Sequence, residues 1–197
     1  MIIIKRSLLM AVAVLGSAPA FAHPAPTENW SLIAGLSHPL FGLDHVLAMV
    51  AVGLWAALLG GRSVWLVPAS FVSVMSVGFA LALVGFALPF VEPAILASVI
   101  VLGLCAAIAL RVPAAVGMIA VGFFAAFHGS AHGAEIGTAN ALGFGAGFVI
   151  ATALLHATGV AAGASLVRVL GNAQGRTVVQ LAGAATAMGG FAMIFAG

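Results

Sequence analysis

The sequence predicts an all-α integral membrane protein, with a cleavable signal peptide followed by six transmembrane helices. Three observations carry that prediction. Of the 197 residues, 64% are hydrophobic and only 5% charged, four Asp+Glu and six Lys+Arg, with a mean hydropathy of +1.29. A soluble domain carries about 25% charged residues, so ten charges cannot solvate a surface of this size, and a soluble globular protein is excluded. The low charge and high hydropathy also exclude a disordered chain. The second observation is that charges and prolines divide the chain into apolar segments close to the length that spans a bilayer. The third is that the first residues have the layout of an export signal. No Lys/Arg run occurs anywhere, which argues against a nucleic-acid partner. The partner for most of this chain is the lipid bilayer.

In chain order, Lys5 and Arg6 form a short positive region and Leu8 to Leu15 an apolar core. Ala20-Phe21-Ala22 then supplies a small-x-small cleavage site. The apolar core is far shorter than the ~20 residues a spanning helix needs. Residues 1–22 are therefore expected to leave as a signal peptide, the alternative being an uncleaved anchor. Residues 23–197 form the six-helix membrane domain.

The first apolar segment runs from about Pro39 to Leu59 and ends at Gly60-Gly61-Arg62. The second runs from about Val64 to Leu88 and stops at Pro89, and the third from about Ala94 to Leu110, stopping at Arg111 and Pro113. A fourth covers about Ala114 to Phe127, with a continuation to Ala134 open. The fifth covers about Asn140 to Val167, bounded by Arg168, and the sixth about Val178 to Phe195. A helix satisfies each segment's backbone internally, as lipid requires. The lone Cys105 sits in an apolar run and reads as a packed small residue, with no disulfide available.

A cleaved signal places the new N-terminus outside the cytoplasm, and the segments alternate from there. Arg62, Arg111, Arg168 and Arg176 then all fall on the cytoplasmic side, as the positive-inside tendency requires. Glu92 and both mature termini fall outside. The expected location is the bacterial inner membrane.

This topology collects the ionisable residues in one layer. His38, Asp44 and His45 lie at the outer end of the first segment, and His128, His132 and Glu135 at the outer end of the fourth. At ~100° per residue on one continuous helix, His38 and His45 would lie within about 20° of each other, with Met49 on the same face. His128, His132 and Glu135 would lie within about 60°. An ionised group near the bilayer centre costs about 2.5–3.5 kcal/mol on insertion scales, so six such groups in one layer are hard to explain as packing. Singly, each has a plainer reading. His38 can stand at a helix entrance, Asp44 can cap a backbone or orient His45, and the two later histidines can reach interfacial water. Together, imidazole plus carboxylate is the ligand set of a divalent transition metal. Met49 is more readily packing than ligand. His156, inside the fifth segment, reads equally as a hydrogen-bonded interior residue or a second station on a path.

Gly129, Gly133 and Gly137, with Gly143/Gly147 and Gly159/Gly163, recur every four residues. Small-xxx-small patterns admit close backbone approach, and here they should bring the fourth or fifth helix against the first.

At these residues the chain resembles a known family. His38-Pro39-Leu40-Phe41-Gly42-Leu43-Asp44-His45 with Met49 is similar to the H-P-x-x-G-x-D-H-x-x-x-M motif of the HupE/UreJ family. Phe127-His128-Gly129-Ser130-Ala131-His132-Gly133-Ala134-Glu135 is similar to its second motif, and Ala151-Thr152 with Leu155-His156 and Gly159 to a weaker third. The resemblance implies a bacterial membrane permease for nickel, or in some members cobalt, that supplies hydrogenase or urease maturation. The residue spacing alone gives a divalent metal in a membrane.

The chemistry fits a carrier or channel, and no enzyme activity is expected. Neutral imidazole and carboxylate suit Ni²⁺ and Co²⁺, and the ion is cargo, with no resident cofactor required. No Walker A motif is present. The alternatives are an intramembrane metal-dependent enzyme or a metal-binding accessory subunit. His128-x-x-x-His132 looks like the H-E-x-x-H zinc helix, but residue 129 is Gly where that helix carries Glu. If cleavage follows Ala22, His23 would offer its α-amine and imidazole as a chelating pair, or be a plain tail residue. Assembly into a homo-oligomer is left open.

Overall fold

Seven α-helices, and no strand, make up the residues that the computed structural model describes, 32–136 and 141–196. The expected signal peptide and His23 lie outside the described residues. The helices are α1 (Leu32–Phe41), α2 (Leu43–Leu59), α3 (Ser63–Leu83), α4 (Val91–Ala107), α5 (Ala114–Ile136), α6 (Ala141–Leu170) and α7 (Asn172–Ala196).

The second to sixth apolar segments each form one helix and the first forms parts of two, and the differences have physical causes. The second segment ends at Leu83, short of Leu88, where Gly85 turns the chain at φ +94. The fourth does continue, reaching Ile136, and the sixth begins at Asn172, directly after Gly171 at φ +81. By length and composition, α3, α5, α6 and α7 can each cross a membrane. The pair α1 and α2 passes the same test only as a broken span, and α4 is a shorter apolar helix of 17 residues.

The largest departure lies in the first segment. It is not one helix from Pro39: α1 begins at Leu32, ends at Phe41, and meets α2 at a bend of 87°. Pro39 lacks the N–H that would continue the ladder, and Gly42 stands between the helices with φ −92 and ψ 107. His38 and His45 therefore do not share a helical face. Gly42 serves a second purpose, because a Cβ there would sit 2.9 Å from both Asp44 Oδ1 and His45 Nδ1. The polar pair folds back over a residue that has no side chain.

α2 is the central helix, with Ala48, Met49, Ala51, Val52, Leu54, Trp55 and Ala56 all buried. Trp55 Nε1 donates to the Leu110 carbonyl at 2.9 Å, tying the far end of α2 to the α4–α5 connection. The glycine patterns act as close-packing surfaces, and one of the two expected partners packs on the first segment. Gly53 of α2 faces Gly159 of α6 backbone to backbone, so the fifth segment does pack on the first. Gly129 and Gly133 of the fourth serve a different neighbour, since a Cβ at either would strike the backbone of Met75 or Phe79 on α3. The sequence could not distinguish these docking partners, since a smooth helix face carries no address.

Candidate metal centre

The bend at Gly42 and the depth of α5 set the geometry. α1 brings His38 in from the side, the first turn of α2 presents Asp44 and His45, and the last two turns of α5 present His128, His132 and Glu135. His132 is the hub. Its Nδ1 lies 2.9 Å from His38 Nε2 and 3.5 Å from Glu135 Oε2, and its Nε2 lies 2.7 Å from His45 Nε2. The rings of His38 and His132 meet edge to face at 4.4 Å, and those of His45 and His128 at 4.8 Å.

Donor and acceptor roles can be assigned from the ends of this chain. Asp44 Oδ1 accepts from the His45 backbone N–H at 2.7 Å and stands 2.8 Å from His45 Nδ1. A carboxylate only accepts, so His45 Nδ1 carries the proton. With uncharged rings, the form cheapest to bury, His45 Nε2 is then a bare lone pair. His132 donates to it from Nε2, and His38 donates in turn to His132 Nδ1. Asp44 thereby fixes one tautomer for the whole run, as carboxylates behind ligating histidines do in metal sites.

His38, His132 and Glu135 each offer a ligand atom within 4.8 Å of the other two. Imidazole nitrogens bind a first-row divalent ion at ~2.0–2.1 Å, so two of them at a right angle about one ion stand ~3 Å apart. The 2.9 Å spacing of His38 Nε2 and His132 Nδ1 meets that requirement once the proton between them shifts to His38 Nδ1, which leaves a lone pair on each facing nitrogen. His45 Nε2, against the opposite edge of His132, meets it on the other side. Exposure falls from the carboxylate to the histidines. The Glu135 side chain is 47% exposed and that of His132 only 6%, and His128 and His156 are fully enclosed.

Other expected ligands are placed differently. His128 does not join the trio: its Nε2 is bonded to Ser98 Oγ on α4 at 3.0 Å. Met49 is wholly buried in the core, and its carbonyl, rather than its sulfur, accepts from His156 Nδ1 at 2.8 Å. His156 lies deeper, on α6, against Phe71. The sequence reading missed Ser98 and Phe71. A lone Ser in one apolar run and a Phe in another give no signal until the fold sets them beside a histidine.

Comparisons with known proteins identify the family. The family model described as HupE / UreJ protein matches residues 10–193. The chain is 49% identical over 121 residues to Protein HupE of Rhizobium leguminosarum bv. viciae. That match covers 61% of this chain and 63% of the relative, under two thirds of its length. No solved structure matches. With the family model covering nearly the whole chain and all three histidine-bearing stretches, this multi-helix membrane protein belongs to the HupE/UreJ family.

Proposed function

We propose that the protein is a permease that carries a divalent transition-metal ion, nickel before cobalt, from the periplasm to the cytoplasm for the maturation of a nickel enzyme such as hydrogenase or urease. The observation that carries this reading is the continuous line of nitrogen and oxygen donors from exposed Glu135 through His38 and His132 to His45, the last two both buried. An ion captured at the His38–His132–Glu135 mouth loses water one ligand at a time. It passes around the His132 ring from the Nδ1 side to the Nε2 side as the ring proton moves from Nε2 to Nδ1, and there meets the His45 lone pair that Asp44 holds ready. Few donors at each stage keep affinity modest, as throughput demands. Neutral imidazole and carboxylate favour Ni²⁺ and Co²⁺ over softer ions.

In this reading the chain has six spans, α1 and α2 together forming the first, with mature termini in the periplasm. The support is the placement of Arg62, Arg111 and Arg168 at the ends of α2, α4 and α6 opposite to the histidine mouth. The deciding experiment is ⁶³Ni²⁺ uptake by the purified full chain in liposomes, with Co²⁺, Zn²⁺ and Mg²⁺ as competitors. Saturable uptake, competed by Co²⁺ and not by Mg²⁺, is expected. Nickel binding without flux would overturn the permease in favour of a metal-binding accessory subunit.

A further inference from the structure

Two histidines keep a buried nitrogen that nothing satisfies, and both face the interior beneath the mouth. Among the described side chains, His128 Nδ1 and His156 Nε2 are buried polar atoms with no hydrogen-bond partner. Their other nitrogens are engaged, and those bonds decide which atom is bare. The Ser98 hydroxyl donates its one proton to the Ile95 carbonyl at 2.6 Å. Toward His128 Nε2, 3.0 Å away, Ser98 Oγ can therefore only accept. His128 thus carries its proton on Nε2, and Nδ1 is a bare lone pair in the interior. The same logic holds for His156. Its Nδ1 faces the Met49 carbonyl at 2.8 Å, a group that only accepts, so Nε2 is left bare.

Leaving a buried lone pair unpaired costs free energy. A histidine serving only to strap α6 to α2 would not need to leave one, since a second donor or an apolar ring could replace it. A ring whose far N–H is held by a backbone carbonyl or a hydroxyl, with the near nitrogen free, is how proteins prepare a metal ligand. Both rings pack on the same Phe71 side chain, His128 at 5.4 Å and His156 at 4.9 Å between centroids. A thioether and a hydroxyl lie one turn along the same two helices. Met75 follows Phe71 on α3, Thr152 precedes His156 on α6, and the Thr152 hydroxyl meets Met75 Sδ at 3.6 Å.

The geometry points to a second, inner metal station, in which His128 Nδ1 and His156 Nε2 ligate one divalent transition-metal ion at the Phe71 level of the interior. It lies below the His38–His132–Glu135 mouth and is distinct from it in every ligand. The inference extends the permease reading, placing a stopping point between the mouth and the cytoplasmic half. Ser98 and the Met49 carbonyl are positioning groups, holding the far side of each ring.

The test is equilibrium dialysis of the full chain in nanodiscs against Ni²⁺ alone, with flux measured on the same preparations in liposomes. The wild type should bind two ions per chain. His132→Ala should retain one, and so should His156→Gln, whose side chain keeps the polar character of the site. Nickel X-ray absorption of the His132→Ala protein should show an ion with two imidazoles. Ser98→Ala frees the tautomer of His128 while leaving every ligand in place, and should weaken the retained ion about 10–100-fold. It also serves where His156→Gln fails to fold. A single ion in the wild type, lost in His132→Ala, overturns the inner station. So does retention of both ions by His156→Gln, or unchanged affinity in Ser98→Ala. Flux with a single bound ion would leave the permease standing without the station, whereas two bound ions without flux would leave the station and remove the permease.

Discussion

Asp44 Oδ1 takes two bonds from His45, one from the backbone N–H and one from the ring. That single oxygen settles where the protons sit on three successive imidazoles, although its own side chain is not among the mouth trio. Asp44→Ala should therefore lower nickel uptake about 10–100-fold, the usual cost of losing a group behind a ligand. The rate at low nickel concentration, read with equal protein in the membrane, checks it, and an unchanged rate would contradict the orienting role. His38→Ala, His132→Ala and Glu135→Ala each remove a member of the mouth and should each abolish saturable uptake. Met49→Leu conserves volume and preserves the backbone carbonyl that His156 uses, so its uptake should remain near that of the parent. Loss of transport in Met49→Leu would mean that the thioether itself binds the ion.

For the helices, the approach of α5 to α3 is the packing on which the mouth depends. A Cβ at Gly129 would collide with the Met75 carbonyl and lie 2.7 Å from the Phe79 nitrogen. Backbone cannot step aside as a side chain can, so Gly129→Ala should destabilise the protein by about 1–3 kcal/mol. Gly122, about two turns earlier on α5, meets only the Val74 and Ser70 side chains at 3.4 and 3.6 Å, and Gly122→Ala should be tolerated. Thermal unfolding of the two variants in the same detergent makes the comparison, and equal midpoints would contradict the docking. The glycine period was legible in the sequence because spacing alone reveals it. The docking partner was not, because α3 offers its backbone at Met75 and Phe79, and backbone is the same everywhere. The helical character of the apolar segments was legible for a similar reason, since a long uncharged run in lipid has to satisfy its backbone internally. The break at Gly42 escaped notice because Pro39 and Gly42 also suit a helix start. Only the folded chain shows α1 running crosswise ahead of it.

Across the whole molecule, the arginines at the ends of α2, α4 and α6 define the side opposite the mouth. An exported phosphatase fused after Gly197 should be active and a cytoplasmic reporter at the same place inactive, and the reverse pattern would require a different number of spans. A divalent ion moving toward a negative interior gains about 2 × 2.3 kcal/mol per 100 mV. Electrogenic permeation without a coupled proton or nucleotide is therefore expected. In liposomes held inside-negative at equal pH, nickel should accumulate, and collapsing the potential should slow it. Accumulation driven only by a pH gradient would overturn this.

α6 works as a jig for the mouth, although it contributes none of the mouth's ligands. Gly147 seats α1 beside Leu36 and Gly35, and Gly159 seats α2 beside Gly53 and Leu54. These two notches lie about 18 Å apart along one straight rod at 1.5 Å per residue. Because the bend at Gly42 leaves His38 and His45 on separate pieces, the distance between the notches, rather than the connection between the pieces, holds the two histidines in register against His132. One residue inserted between Val149 and Ile150 would turn the first notch about 100° relative to the second. The gauge would then be wrong while every side chain of the mouth remained present. Such a protein should still insert in the membrane and still retain α2 on α6, yet take up no nickel.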